Sequence, residues 1–182
     1  MVSKAIAELE NDHEAIVFAL GILDKMAEIA RSDGPFDPAE ARVLVGFLKE
    51  FADTCHHGKE EGILFPMMEK AGMPREGGPI GVMLQEHDIG RGLWKRMGAA
   101  LGTEGDRADF AAAAKEYSTF LRRHIEKENT LLFPMAERLL DDTNLEAVLA
   151  GFQEHEAKVM GRGRHEELHA MLADFGGKYP SA

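Results

Sequence analysis

The stretch His124-Ile-Glu-Lys-Glu128-Asn-Thr-Leu-Leu-Phe-Pro134 decides the fold. It sets a histidine and a glutamate four residues apart and closes on Phe-Pro. The same arrangement stands earlier in the chain, in His56-His-Gly-Lys-Glu60-Glu-Gly-Ile-Leu-Phe-Pro66. Aligned on Phe-Pro, His56 matches His124, Lys59 matches Lys127 and Glu60 matches Glu128. Residues i and i+4 stack on one helical face. In the second copy that face reads Tyr117, Phe120, Leu121, His124, Glu128, Leu131, Leu132, Met135. In the first it reads Val45, Leu48, Ala52, His56, Glu60, Ile63, Met67. Each histidine and glutamate thus falls inside a stripe that faces a core. Burial without partners costs several kcal/mol per group. A metal ion shared between helices removes that cost, because imidazole and carboxylate are natural ligands.

Two further histidines interrupt apolar stripes. The first helix, expected over residues 3–31 with Ser3 as cap, carries Ile6, Leu9, His13, Ile16, Leu20, Leu23 and Ala27 on one face. The third, over 79–101, carries Ile80, Met83, His87, Gly90, Trp94, Met97 and Leu101. Both histidines sit in acid–His–acid contexts, Asp12-His13-Glu14 and Glu86-His87-Asp88. The second helix opens at Asp37-Pro-Ala-Glu40, a cap followed by proline, and runs to Lys70. The fourth spans 106–140. Pro66 and Pro134 lie inside these helices, where each removes a backbone bond and predicts a local bend. Ser32 to Pro35, 72–79 and 102–105 read as breaks between helices.

The unit "helix with His, then helix with H-x3-E" therefore occurs twice, an internal duplication of a helical hairpin. Counted at about 1.5 Å per residue, His13 lies as far before the end of its helix as His56 lies after the start of the next. Glu60 and His87 are matched in the same way. In an up-down bundle His13, His56, Glu60, His87, His124 and Glu128 meet at one level. Four imidazoles and two carboxylates suit a dinuclear site for iron, ahead of manganese or zinc. The carboxylates, one from each half, are placed to bridge both ions.

The chain has 182 residues, 45% hydrophobic and 29% charged, with a net charge of −11. That length suits one domain. The acidic balance argues against a nucleic-acid partner held by phosphate contacts. Cys55 is the only cysteine, so no intrachain disulfide and no Cys-rich metal site is expected. There is no leader pattern and no apolar run long enough to span a bilayer. A soluble cytoplasmic protein without a membrane partner is expected. Residues 141–176 are expected to form a fifth helix, from a capping box at Thr143-Asn-Leu-Glu146 to Phe175, weakened at Gly161 and Gly163. It is expected to pack outside the bundle or to serve in a homodimer. Residues 177–182 read as a tail.

Other readings were set against this one. His57 and Glu61 form the pair only if the second helix turns by about 100°; otherwise they stand outside the ligand set. Glu10-x-x-His13 matches half of a ferritin-like carboxylate site but has no second copy. His165-Glu-Glu-Leu-His169 has the zinc-protease spacing, yet a polar helical face accounts for it. His155 echoes the ligand contexts without an H-x3-E partner. Cys55 reads as a buried, inert thiol.

The pattern H…H-x3-E…H…H-x3-E, with Lys-Glu and Leu-Phe-Pro around it, resembles the hemerythrin-like HHE cation-binding domain family over residues 9–140. The resemblance implies an all-α, up-down four-helix bundle over residues 1–140. It implies two non-haem irons with an oxo or hydroxo bridge. Two departures from the oxygen-carrying members stand out. Their second histidine on the third helix is Arg91 here, and their H-x4-D is H-x3-E. The site is thus poorer in imidazole. The repair members of the family share the six positions and add a cysteine-containing N-terminal region not found in these 182 residues. The expected function is binding or sensing of O2, NO or peroxide at the carboxylate-bridged pair. The alternatives are an enzyme turning over peroxide or NO, an iron donor in metal-cluster repair, or a bundle stabilised by metal that acts through a partner.

Overall fold

The computed structural model describes residues 2–32, 34–102, 106–161 and 163–180. Parts of the expected breaks after Ser32 and Gly102, and the last two residues of the expected tail, lie outside them. The described chain is helical throughout, without a strand among the described residues. Helix α1 spans Lys4–Arg31, and the Ser3 hydroxyl accepts from the Ile6 amide at its start. Helix α2 spans Pro38–Phe47 behind the Asp37 cap, and the chain stays helical through Leu48–His57 and Glu60–Leu64 into α3, Phe65–Lys70. Helix α4 spans Pro79–Ala100. Helix α5, Arg107–Lys127, continues through Glu128–Leu132 into α6, Phe133–Leu139.

Both α1 and α4 pack on α5, and both touch the Leu48–His57 stretch. The two halves therefore form the expected up-down four-helix bundle. Its interior falls into two apolar clusters. One is built around Leu20, Leu23, Phe47, Phe51, Met97, Phe110 and Tyr117. The other is built around Leu9, Leu64, Phe65, Ile80, Met83, Leu132 and Phe133. On every helix the candidate ligands lie between the two clusters, so the site is a polar belt at mid-height of an otherwise apolar core.

Both prolines follow a change of helix type. Immediately before each one the helix widens to a π turn: the Phe65 amide bonds to the Glu60 carbonyl, and the Phe133 amide to the Glu128 carbonyl. Pro66 and Pro134 then fall in the first turn of the following α segment, where a missing N–H is tolerated. Each π turn spends one extra residue, so the buried face slips by one position after the glutamate. After Glu60, Leu64 and Met68 are buried in place of the expected Ile63 and Met67; after Glu128, Leu132 is buried as expected, Leu131 is not, and Ala136 takes the place of Met135. Leu131 is 59% exposed.

The C-terminal helix comes in two segments, α7 at Asp142–Val159 and α8 at Arg164–Lys178. Gly161 and Gly163 take φ of +76° and +82°, left-handed values that no helix can continue through. The cap is Asp141 rather than Thr143, since its carboxylate accepts from the Asn144 amide at 2.8 Å. Val148 and Phe152 of α7 enter one apolar cluster; Leu168, Leu172 and Phe175 of α8 enter the other. Helix α8 also runs into the expected tail, to Lys178. Among the described residues no helix is long and apolar enough to cross a membrane.

Candidate metal centre

Five helical stretches bring the expected ligands together. His13 comes from α1, His56 and Glu60 from the widened second helix, His87 from α4, His124 from α5 and Glu128 from the π turn that follows it. All six are buried. Their ligand atoms fall into two groups that share the carboxylates. In one, Nε2 of His13 lies 2.9 Å from Nε2 of His56 and 3.2 Å from Oε2 of Glu128, while Nε2 of His56 lies 3.8 Å from Oε2 of Glu60. In the other, Nε2 of His124 lies 3.0 Å from Oε1 of Glu128, and Nε2 of His87 lies 3.7 Å from the same oxygen and 3.4 Å from Oε2 of Glu60. The two oxygens of Glu128 thus face opposite groups, and Glu60 reaches histidines of both. Both carboxylates have the placement of a bridge.

His57 joins them. The sequence left it outside the ligand set, but its ring stacks on His87 with centroids 3.9 Å apart. Its ligand atom clusters with those of His87 and His124. Glu61 does not enter; the one-residue shift that would pair it with His57 is not adopted. Glu10 belongs to neither group, so the ferritin-like alternative has no support here.

Each ring is held from behind. His13 Nδ1 donates to Asn129 Oδ1 at 2.7 Å, His56 Nδ1 to Asp12 at 3.3 Å, His87 Nδ1 to Glu61 at 2.6 Å and His124 Nδ1 to Glu86 at 2.9 Å. This fixes the tautomer and turns every Nε2 inward. The pattern repeats across the two halves. The acid preceding a lone histidine, Asp12 or Glu86, holds the histidine of the following H-x3-E unit. The residue after each buried glutamate, Glu61 or Asn129, holds the lone histidine of the other half. Lys59 and Lys127 complete the repeat by pairing with Asp12 and Glu86. The acid–His–acid contexts and the Lys-Glu pairs are visible in the sequence, but their targets are not, because the contacts run between helices.

Arg91, in the place of a second α4 histidine, contacts Asp53 at 2.7 Å and Glu61 at 2.8 Å. It supports a supporting residue and does not face the centre. His155 sits outside, its Nε2 donating to the Thr54 carbonyl at 3.1 Å. Burial pushes the Cys55 thiol up to about 12, so it stays protonated and unreactive.

The electrostatics fit a cationic guest. Both oxygens of Glu60 and of Glu128, and Nε2 of His87 and of His124, are buried without a hydrogen-bond partner. Orphaned groups at such density are costly unless something else satisfies them. Burial works against a charged His87 ring, yet the carboxylates of Glu128, Glu60 and Glu61 outweigh it and push its pKa up to about 11. His124 rises to about 9, against the same burial, through Glu128 and Glu86. Burial would raise Glu128, but His124, His13 and His87 hold it well below the ordinary carboxylate range. Burial and the neighbouring imidazoles push His57 well below its usual value, which keeps it neutral. Two buried anions facing inward-turned imidazole nitrogens are what hard-to-borderline divalent ions bind. Both groups can hold metal.

A four-helix bundle with a histidine–carboxylate belt at mid-height defines a helical metal-binding protein with its site between facing helices. The chain belongs to the hemerythrin family: residues 4–136 match the hemerythrin HHE cation-binding domain. Among curated proteins it is similar to the iron-sulfur cluster repair protein YtfE of Yersinia pseudotuberculosis serotype O:1b (strain IP 31758). The identity is 31% over 146 residues, covering 76% of this chain and 65% of that protein. The YtfE of Yersinia pestis (strain Pestoides F) is 30% identical with the same coverage. The chain thus spans somewhat less than two thirds of the length of these relatives. No solved structure matches it.

Proposed function

We propose that this protein holds two iron ions in the mid-height belt and serves in the repair of iron–sulfur clusters as a donor of iron. The observation that carries the reading is the placement of Glu60 and Glu128, grouped with His13 and His56 yet each within 4 Å of a histidine of the second group, joined to the likeness to proteins named for cluster repair. In this reading His13 and His56 hold one ion, His87 and His124 hold the other with His57 beside them, and the two glutamates span both. The bound irons supply a store of Fe2+ and a one-electron redox couple. Residues 1–140 act as the bundle that carries them, and 141–176 as an accessory segment of the same domain.

The protein's own groups set the terms of release. Imidazole and carboxylate bind Fe2+ less tightly than thiolate does, so transfer toward a cysteine-ligated cluster runs downhill. The ligands are buried, so transfer requires the bundle to open locally.

The test is anaerobic. Protein loaded with an iron isotope is mixed with a cluster protein that has lost one iron, with dithionite as reductant. The reading predicts labelled iron in the restored cluster and its loss from the donor. No transfer above that from the Glu60→Ala variant would overturn it.

A second reading rests on the ligand count: with His57 beside the six expected residues, two ions would still keep coordination positions open for a small ligand. Binding or sensing of O2, NO or peroxide at the pair is that reading, and turnover of peroxide or NO is its enzymatic form. Fast consumption of NO or peroxide without iron transfer would favour it over donation.

A further inference from the structure

A second group of histidines lies outside the belt. His165 and His169 stand one turn apart on α8, with their Nε2 atoms 2.8 Å apart and their ring centroids 4.6 Å apart. The buried centre supplies a ruler within the same chain. Its His13–His56 pair shows 2.9 Å between Nε2 atoms and 4.6 Å between centroids. Two imidazole nitrogens on neighbouring positions of one ion, each at about 2.1 Å, stand about 3 Å apart. The α8 pair meets that requirement.

We propose that His165 and His169 form an auxiliary site for a first-row divalent cation. His165 is anchored as metal-ligating histidines are. His165 Nδ1 donates to Glu156 Oε1 at 3.0 Å, which fixes its tautomer and turns Nε2 toward His169. Phe51 closes one side, its ring edge-on to both imidazoles. With His165 Nδ1 donating to Glu156, the 2.8 Å contact is a hydrogen bond from His169 Nε2–H to His165 Nε2, so an ion between the rings takes the place of that proton; burial, together with repulsion from His165, lowers the His169 pKa, which disfavours a second proton on the pair. The rings lie 20° from parallel, against 55° in the buried pair. Capture therefore needs a rotation of the rings, for which the exposed His169 has room. Two ligands from the protein leave the other positions to water, which makes this a weak and exchangeable site, open to solvent. By the usual order of divalent affinities Ni2+ and Zn2+ bind such a site more tightly than Fe2+.

Glu156 also faces inward: its other oxygen lies 3.1 Å from Lys59 Nζ, and Lys59 reaches the Asp12 that holds His56. The auxiliary site and the buried centre thus share one chain of charged groups. The inference stands on the geometry of the α8 pair and does not depend on which metal the buried centre holds.

The experiment is a calorimetric titration of the untagged holoprotein with Ni2+, with the buried metal counted before and after. One added equivalent is expected, with the buried content unchanged. It should be lost in both His165→Ala and His169→Ala and kept in His155→Ala. The absence of any added equivalent, or one that survives both variants, overturns the proposal. His169 is exposed, so its variant tests the site without disturbing the core.

Discussion

Oδ2 of Asp12 lies 3.3 Å from Nδ1 of His56, on a neighbouring helix, and 3.1 Å from the buried ammonium of Lys59. Glu86 makes the matching contacts with His124 and Lys127 in the other half. These acids never face the centre, yet they set which nitrogen of each ligand is bare. Asp12→Asn and Glu86→Gln should therefore weaken metal retention by about 10–100-fold while leaving the helical content intact. Competition against a chromophoric chelator measures this. Retention equal to the wild type would remove the orienting role.

The glutamates separate the bridge from its supports. Glu60→Ala or Glu128→Ala should leave at most one ion per chain, because each carboxylate serves both ligand groups. Glu61→Ala should keep both ions more weakly, since it removes the anchor of His87 Nδ1 and a partner of Arg91 but no inward-facing carboxylate. Elemental analysis after desalting distinguishes the two. Equal losses at Glu60 and Glu61 would mean that the bridging register is wrong.

Gly58 is required by the accessory helix. A Cβ there would come within 2.5 Å of His155 Nε2, the atom that donates to the Thr54 carbonyl. Gly58→Ala should destabilise the protein by about 1 kcal/mol through that displaced contact. Adding it to His155→Ala should cost less than adding it to the wild type. Denaturant midpoints of the four proteins form the cycle that checks it.

The docking of α8 has a pH limit. The Arg164 guanidinium donates to both oxygens of Glu50 and holds its carboxyl below the ordinary range, against a smaller opposing effect of burial. A depressed carboxylate stabilises the fold above its unfolded pKa of about 4.3, and that contribution is lost as the pH falls through the lower folded value. Amide exchange along α8 should therefore quicken below about pH 4, and the Glu50→Gln variant should not show that step.

The bundle was legible in the sequence because its signal is periodic. His13, His56, Glu60, His87, His124 and Glu128 interrupt apolar stripes, and a stripe position is a burial statement. Legibility ended at Glu60 and Glu128, where a π turn consumes an extra residue and moves burial from Ile63 to Leu64 and from Met135 to Ala136. A fixed period cannot announce such an insertion, although a proline follows each one. His57 was missed for a related reason. Adjacent helical residues point about 100° apart, so His56 and His57 were treated as competitors, whereas the widened helix lets both rings reach the belt. The division of the C-terminal helix was foreshadowed by Gly161 and Gly163 but only as weakness. That both take left-handed backbone is a property of the fold.

The central claim is that the two ligand groups hold a pair of iron ions bridged by Glu60 and Glu128. Metal content per chain of the anaerobically purified protein, followed by Mössbauer spectroscopy of the isotope-enriched sample, tests it most directly. The account predicts two irons per chain with magnetically coupled signals, falling to one or none in Glu128→Ala. A single zinc, or iron without coupling, would contradict it.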